Sequence, residues 1–205
     1  MILGMVINLY YCPYGYFCER SYPNSMNFTK NEVVLSNNIR MLWEQHGAWT
    51  RMAIISMVFG LPDEELVINQ LLQNPVDFAN LLKFFYGDEI ASTFSDLLKS
   101  HLVIAAELVK AAIIGDNNTA AEAEKKWYKN ADEIADLLSS INPYWSNESW
   151  RAMLHEHLAL VKAEAVAMLT GDYATGISVY NKIESQALEM SDMMTEGIIK
   201  QFVIN

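Results

Sequence analysis

From about Leu35 onward, apolar residues recur at steps of three and four. Leu35, Ile39, Trp43, His46, Thr50, Ala53 and Met57 fall on one helix face, and Gly60-Leu61-Pro62 ends the run. A second helix is expected to begin near Asp63, and a third to span roughly 88–114, ending at Gly115-Asp116. A fourth covers about 117–141 and stops before Asn142-Pro143. A fifth covers about 147–170 and ends at Gly171-Asp172, and a sixth runs to near residue 203. No segment alternates with the two-residue period of a strand. The pattern predicts an all-α, up-and-down helical bundle of about six helices with short connections.

The same pattern carries an internal repeat. His46, His101 and His157 each stand 14 residues before a glycine: Gly60, Gly115 and Gly171. The following helices match as well. Asn74-x-x-Asp77-x-x-Asn80 aligns with Asn130-x-x-Glu133-x-x-Asp136 and Gln186-x-x-Glu189-x-x-Asp192, at a spacing of 56 residues. Phe78, Ile134 and Met190 keep that period. Three pseudo-repeated helical hairpins follow, over about 35–85, 88–141 and 147–203. Residues 1–31 form a separate aromatic arm.

The rise of about 1.5 Å per residue sets the level of each side chain in such hairpins. The chain climbs from each His to its Gly and returns by the acid, so His46, Asp77, His101, Glu133, His157 and Glu189 are expected in one layer. The His residues interrupt apolar stripes, which points the imidazoles inward. Three imidazoles and three carboxylates inside a bundle suit a transition-metal centre, and buried carboxylates would need a cation to stay ionised. The expected cofactor is one or two transition-metal ions, iron or manganese first and zinc after them. Asn74, Asn80, Asn130, Asp136, Gln186 and Asp192, one turn to either side of the acids, are candidates to orient imidazoles or bind metal-held water. Glu164, two turns after His157 on the same stripe, is a further candidate ligand.

Bland readings stand beside this one. A core histidine is more often hydrogen-bonded than metal-bound, and duplication copies residues whether or not they act. The layer would then be a His-carboxylate polar layer that sets helix register. His155, two residues from His157, turns to another face and reads as surface. Trp43, Trp49 and Trp127 read as packing. The Glu-x-x-His spacing of ferritin-type centres is absent.

Composition narrows the partners. The chain has 205 residues, 14 Lys plus Arg against 25 Asp plus Glu, and a net charge of -11. With no basic cluster, neither nucleic acid nor an anionic membrane surface is an expected partner. The only cysteines, Cys12 and Cys18, fit neither a zinc knuckle nor a disulfide framework. Met1–Tyr11 is apolar but short and lacks a basic start, so neither a secretion signal nor a membrane span is expected there, and the cytoplasm is the default location. No glycine-rich phosphate loop and no Gly-x-Ser-x-Gly elbow occurs, which disfavours kinase, dinucleotide and hydrolase chemistry.

The runs Arg40–Ser56, Tyr128–Ala135, Ser140–Trp145 and Glu184–Met190 resemble a family of small helical proteins of spore-forming bacteria. Members often bear the label acetylglutamate kinase. That label implies an α/β fold with glycine-rich phosphate loops, and this sequence has neither. The resemblance implies an all-α fold and no particular site residues. In architecture the duplicated helices are similar to ferritin-like and hemerythrin-like bundles.

The sequence thus supports a metal-binding bundle with a His/carboxylate non-haem centre. Oxygen, peroxide or water would be the small ligand, and storage or sensing of the metal is the close variant. If the chain is an enzyme, it is a non-haem metal oxidoreductase. The rival is a metal-free structural or interaction protein, spore-associated and acting through the aromatic arm. Either reading is compatible with a homo-oligomer.

Overall fold

The computed structural model describes residues 29–202, so the aromatic arm lies almost wholly outside the described residues. The described chain is helical and contains no strand: α1 (Lys30–Phe59), α2 (Glu64–Leu71), α3 (Asn74–Ile113), α4 (Asn117–Ile141), α5 (Asn147–Leu169) and α6 (Tyr173–Phe202). None of these helices is long and apolar enough to cross a membrane.

Local chemistry sets the helix ends. Thr29 and Glu32 form a reciprocal capping box at the start of α1. Asp116, Ser146 and Asp172 accept backbone N–H bonds at the starts of α4, α5 and α6. At the other ends, Gly60, Gly115 and Gly171 adopt positive φ of 58°, 74° and 75°. The next amide in each case donates five residues back, Leu61 to Ser56, Asp116 to Ala111 and Asp172 to Ala167, all at 2.9 Å. These are three Schellman endings, and they occur at the glycines expected from the sequence.

The second helix expected from Asp63 is in fact two. α2 stops at Leu71 and α3 begins at Asn74, with Pro75 in its first turn. There the missing proline N–H costs no helical bond. α3 is itself broken at Gly87, whose φ of 81° and ψ of 172° are not helical. Phe78 and Phe94 stack with ring centroids 5.7 Å apart. A straight helix would separate them by about 24 Å. The arm before Gly87 therefore folds back on the arm after it.

Neighbouring helices pack in a closed ring: α1 on α3, α3 on α4, α4 on α5, α5 on α6, and α6 on α1. α2 braces α1 from outside the succession. A continuous apolar core fills the interior, with Phe78, Leu82, Leu138, Trp150, Leu158, Met190 and Ile198 fully buried. Inside this core lie His46, His101 and His157.

Candidate functional site

Each buried imidazole is held from the same side. Nδ1 of His46 lies 3.1 Å from Oδ1 of Asn74, that of His101 2.9 Å from Oδ1 of Asn130, and that of His157 3.1 Å from Oε1 of Gln186. The amide nitrogens are committed elsewhere. They donate to the carbonyls of Leu42, Leu97 and Met153 at 2.9, 3.1 and 2.7 Å. In all three places that carbonyl belongs to the residue four before the His. With its nitrogen so engaged, each amide presents an oxygen to the ring, and Nδ1 must be the protonated nitrogen. The lone pair is left on Nε2.

The three rings line one small cavity of about 10 Å³, together with Trp43, Phe94, Leu98, Ile134, Leu138, Trp150 and Leu154. The rings of His46 and His157 are 5.7 Å apart between centroids. Their hydrogen bonds are all on the Nδ1 side. His101 differs, because the indole Nε1–H of Trp127 donates to its Nε2 at 3.0 Å. The indole N–H groups of Trp43 and Trp150 are buried and bond to no protein acceptor. Neither of these N–H groups is open to the cavity, whose surface is almost wholly apolar.

Burial is the main electrostatic force on this cluster. It pushes His101 and His157 down to about 3, with neighbouring imidazoles adding to the shift, and it lowers His46 as well. All three are neutral at pH 7. That protonation state, with one nitrogen donating to a fixed acceptor and the other bare, is the one a metal-ligating histidine needs.

The acids are elsewhere. Glu133 and Glu189 are exposed and Asp77 is half-buried. Asp77 accepts from Gln73 at 3.1 Å, and Glu133 pairs with Lys129 at 3.2 Å. Their height in the bundle is close to that expected, but their direction is not. In α4 the buried positions are Ala123, Trp127, Asn130, Ala131, Ile134, Ala135 and Leu138. At about 100° per residue, Glu133 lies roughly 130° from the centre of that face. Asp77 and Glu189 hold the same place relative to Asn74 and Gln186. The expected six-residue His/carboxylate layer is thus a His/amide layer, and the buried carboxylates that called for a cation are not there.

Asn80, Asp136 and Asp192 are exposed too, on the opposite side of their helices. Asp136 meets Asn147 at 2.7 Å and Arg151 at 3.6 Å, while Asp192 pairs with Arg40. Asn74, Asn130 and Gln186 do orient the imidazoles, directly. Glu164 is buried, but it does not border the cavity. It pairs with Arg51 of α1, whose guanidinium also sits 4.8 Å above the Tyr180 ring. Burial raises Glu164 and Arg51 opposes that rise. His155 is on the surface as expected, 2.8 Å from Asp132.

Trp127 and Arg51 are the participants that sequence reasoning missed. Trp127 stands three residues before Asn130, on the same face, but Leu71 and Ile183 occupy the matching places, so the repeat gave no signal. Arg51 lies five residues after His46, where the other two hairpins carry Ala106 and Lys162.

No protein-family model, no curated protein and no solved structure matches the chain. Among the described residues, no three His, Cys, Asp or Glu side chains stand close enough together to hold a metal ion as they are placed.

Proposed function

We propose that this bundle binds a single transition-metal ion through the Nε2 atoms of His46 and His157, with His101 as a third donor when Trp127 releases it. The observation that carries this reading is the triple His-amide arrangement, in which each Nδ1–H is tied back to its own hairpin and each ring borders one cavity. Two imidazoles on one ion, each about 2.1 Å from it, place their ring centroids about 5 Å apart. The His46–His157 separation of 5.7 Å is close to that. The recurrence of both hydrogen bonds in all three places supports an origin by duplication of one hairpin.

An all-imidazole set changes the expected metal. Without carboxylates manganese loses its favoured donors, and zinc, iron or copper suits the site.

The second reading is a metal-free bundle in which the layer fixes helix register. It is favoured by the Trp127 bond that occupies His101 Nε2. Elemental analysis of untagged protein separates the two. Metal binding predicts about one equivalent of zinc, iron or copper, lost in His157→Ala. Less than about a tenth of an equivalent after anaerobic loading with each metal would leave only the register layer.

A further inference from the structure

A second and larger cavity lies across Trp127 from the histidines. It has a volume of about 190 Å³ and is enclosed by α1, α2, α3, α4 and α5. Its walls are almost wholly apolar, with Ile54, Met57, Leu71, Leu102, Val109 and Ala165 among them. Four observations bear on what it holds. An engineered apolar cavity of about 150 Å³ stays dry and binds benzene, so this volume suits a slightly larger body. Thr50 is among the lining residues, but its hydroxyl is buried away from the open space and so offers a ligand no hydrogen bond. Lys110 and Lys162 also border it, but each is neutralised, Lys110 by Glu64 at 3.0 Å and Lys162 by both oxygens of Glu124 at 2.6 and 2.7 Å. A carboxylate ligand would have to break those pairs. Finally, Val103 on the lining is half exposed, which gives the cavity an opening to solvent.

We infer that this cavity is a binding site for a neutral apolar molecule the size of a substituted benzene or a short alkyl chain. The apolar lining supplies the affinity and disfavours charged ligands. Trp127 forms one wall, so an occupant touches the same indole that donates to His101. The site does not depend on metal at the histidines.

The test is titration of the full chain with p-cresol, toluene, 1-octanol and octanoate, followed by calorimetry and tryptophan fluorescence. Saturable one-to-one binding of toluene and 1-octanol is expected, with p-cresol no tighter than toluene and octanoate at least about tenfold weaker. Ala165→Phe fills the cavity and should weaken toluene by about tenfold or more while helicity is kept. Should that variant fail to fold, Ala105→Leu, also on the lining, decides, and it should weaken toluene several-fold. No saturable binding by any neutral probe, octanoate binding as tight as that of toluene, or undiminished toluene binding in the folded lining variant overturns the assignment.

Discussion

The indole of Trp127 donates to Nε2 of His101 at 3.0 Å, so one of the three inward imidazoles has its lone pair occupied by a neighbour from the next helix. His46 and His157 have no such neighbour. The three rings are alike in how their Nδ1 side is held and unlike in what bonds to Nε2. Trp127→Phe frees His101. On the metal reading, zinc should then bind at least about threefold more tightly by competition with a chromophoric chelator, although the fold loses about 1 kcal/mol with the hydrogen bond. Unchanged or weaker zinc binding would speak for the register layer.

Asn130→Leu should show what the amides contribute. It leaves the Nδ1–H of His101 buried without its acceptor, while the carbonyl of Leu97 keeps its helical bond within α3. One orphaned polar group should cost about 1–3 kcal/mol in urea unfolding. Asn80→Leu, on the exposed side of α3, should change stability by less than about 0.5 kcal/mol.

Acid should unfold this protein through its histidines. In the folded state His101 and His157 titrate at about 3, and in the unfolded chain near the ordinary value of 6.5. Between those values the unfolded chain binds the extra protons. Stability is therefore full above about pH 6.5 and is lost as pH falls toward about 3, by up to about 2.7 kcal/mol per pH unit from the two rings. The lowered His46 adds in the same direction, and the raised Glu164 tilts the other way. Urea midpoints measured from pH 4 to 7 should follow this slope, and His157→Gln should flatten it by about 1.4 kcal/mol per unit.

Arg51→Met should be more harmful near neutrality than in acid. It strands a carboxylate, that of Glu164, whose side chain is only 1% exposed. Removing one partner of a buried pair costs about 3–5 kcal/mol. Without the cation the acid rises further and protonates as pH falls, so the penalty should shrink between pH 7 and pH 5. Equal losses at both pH values would show that the pair contributes packing alone.

Two glycines buried in helices should respond in opposite ways to alanine. At Gly197 an added Cβ would stand 1.9 Å from Nε1 of Trp145, a buried indole bonded to the Met193 carbonyl. Gly197→Ala should cost about 3 kcal/mol. At Gly47 an added Cβ meets nothing within 4 Å. Gly47→Ala should stabilise by about 0.5–1 kcal/mol through helix propensity. Thermal unfolding of the two variants measures both.

Helix ends and the inward histidines were legible in the sequence because each depends on local period. Glycine 14 residues after a histidine fixes both the stop and the level, and an imidazole in an apolar stripe has one way to point. The acids were misread because rise along a helix gives height without direction. Asp77, Glu133 and Glu189 sit near the right level, yet three residues past the amide they rotate out of the buried face. Height alone therefore favoured the charged residues over the neutral Asn74, Asn130 and Gln186, which do reach the rings. Trp127 and Arg51 act across helix boundaries and in one hairpin only. Neither a period nor a repeat marks such a residue.

The most direct test of the central claim is long-range nitrogen–proton NMR of the histidine side chains at pH 7, with and without one equivalent of zinc. The account predicts that His46, His101 and His157 are neutral with the proton on Nδ1. It also predicts that the Nε2 resonances of His46 and His157 move on zinc addition while His155 stays put. Protons on Nε2, or Nε2 resonances indifferent to zinc in all three buried rings, would contradict it.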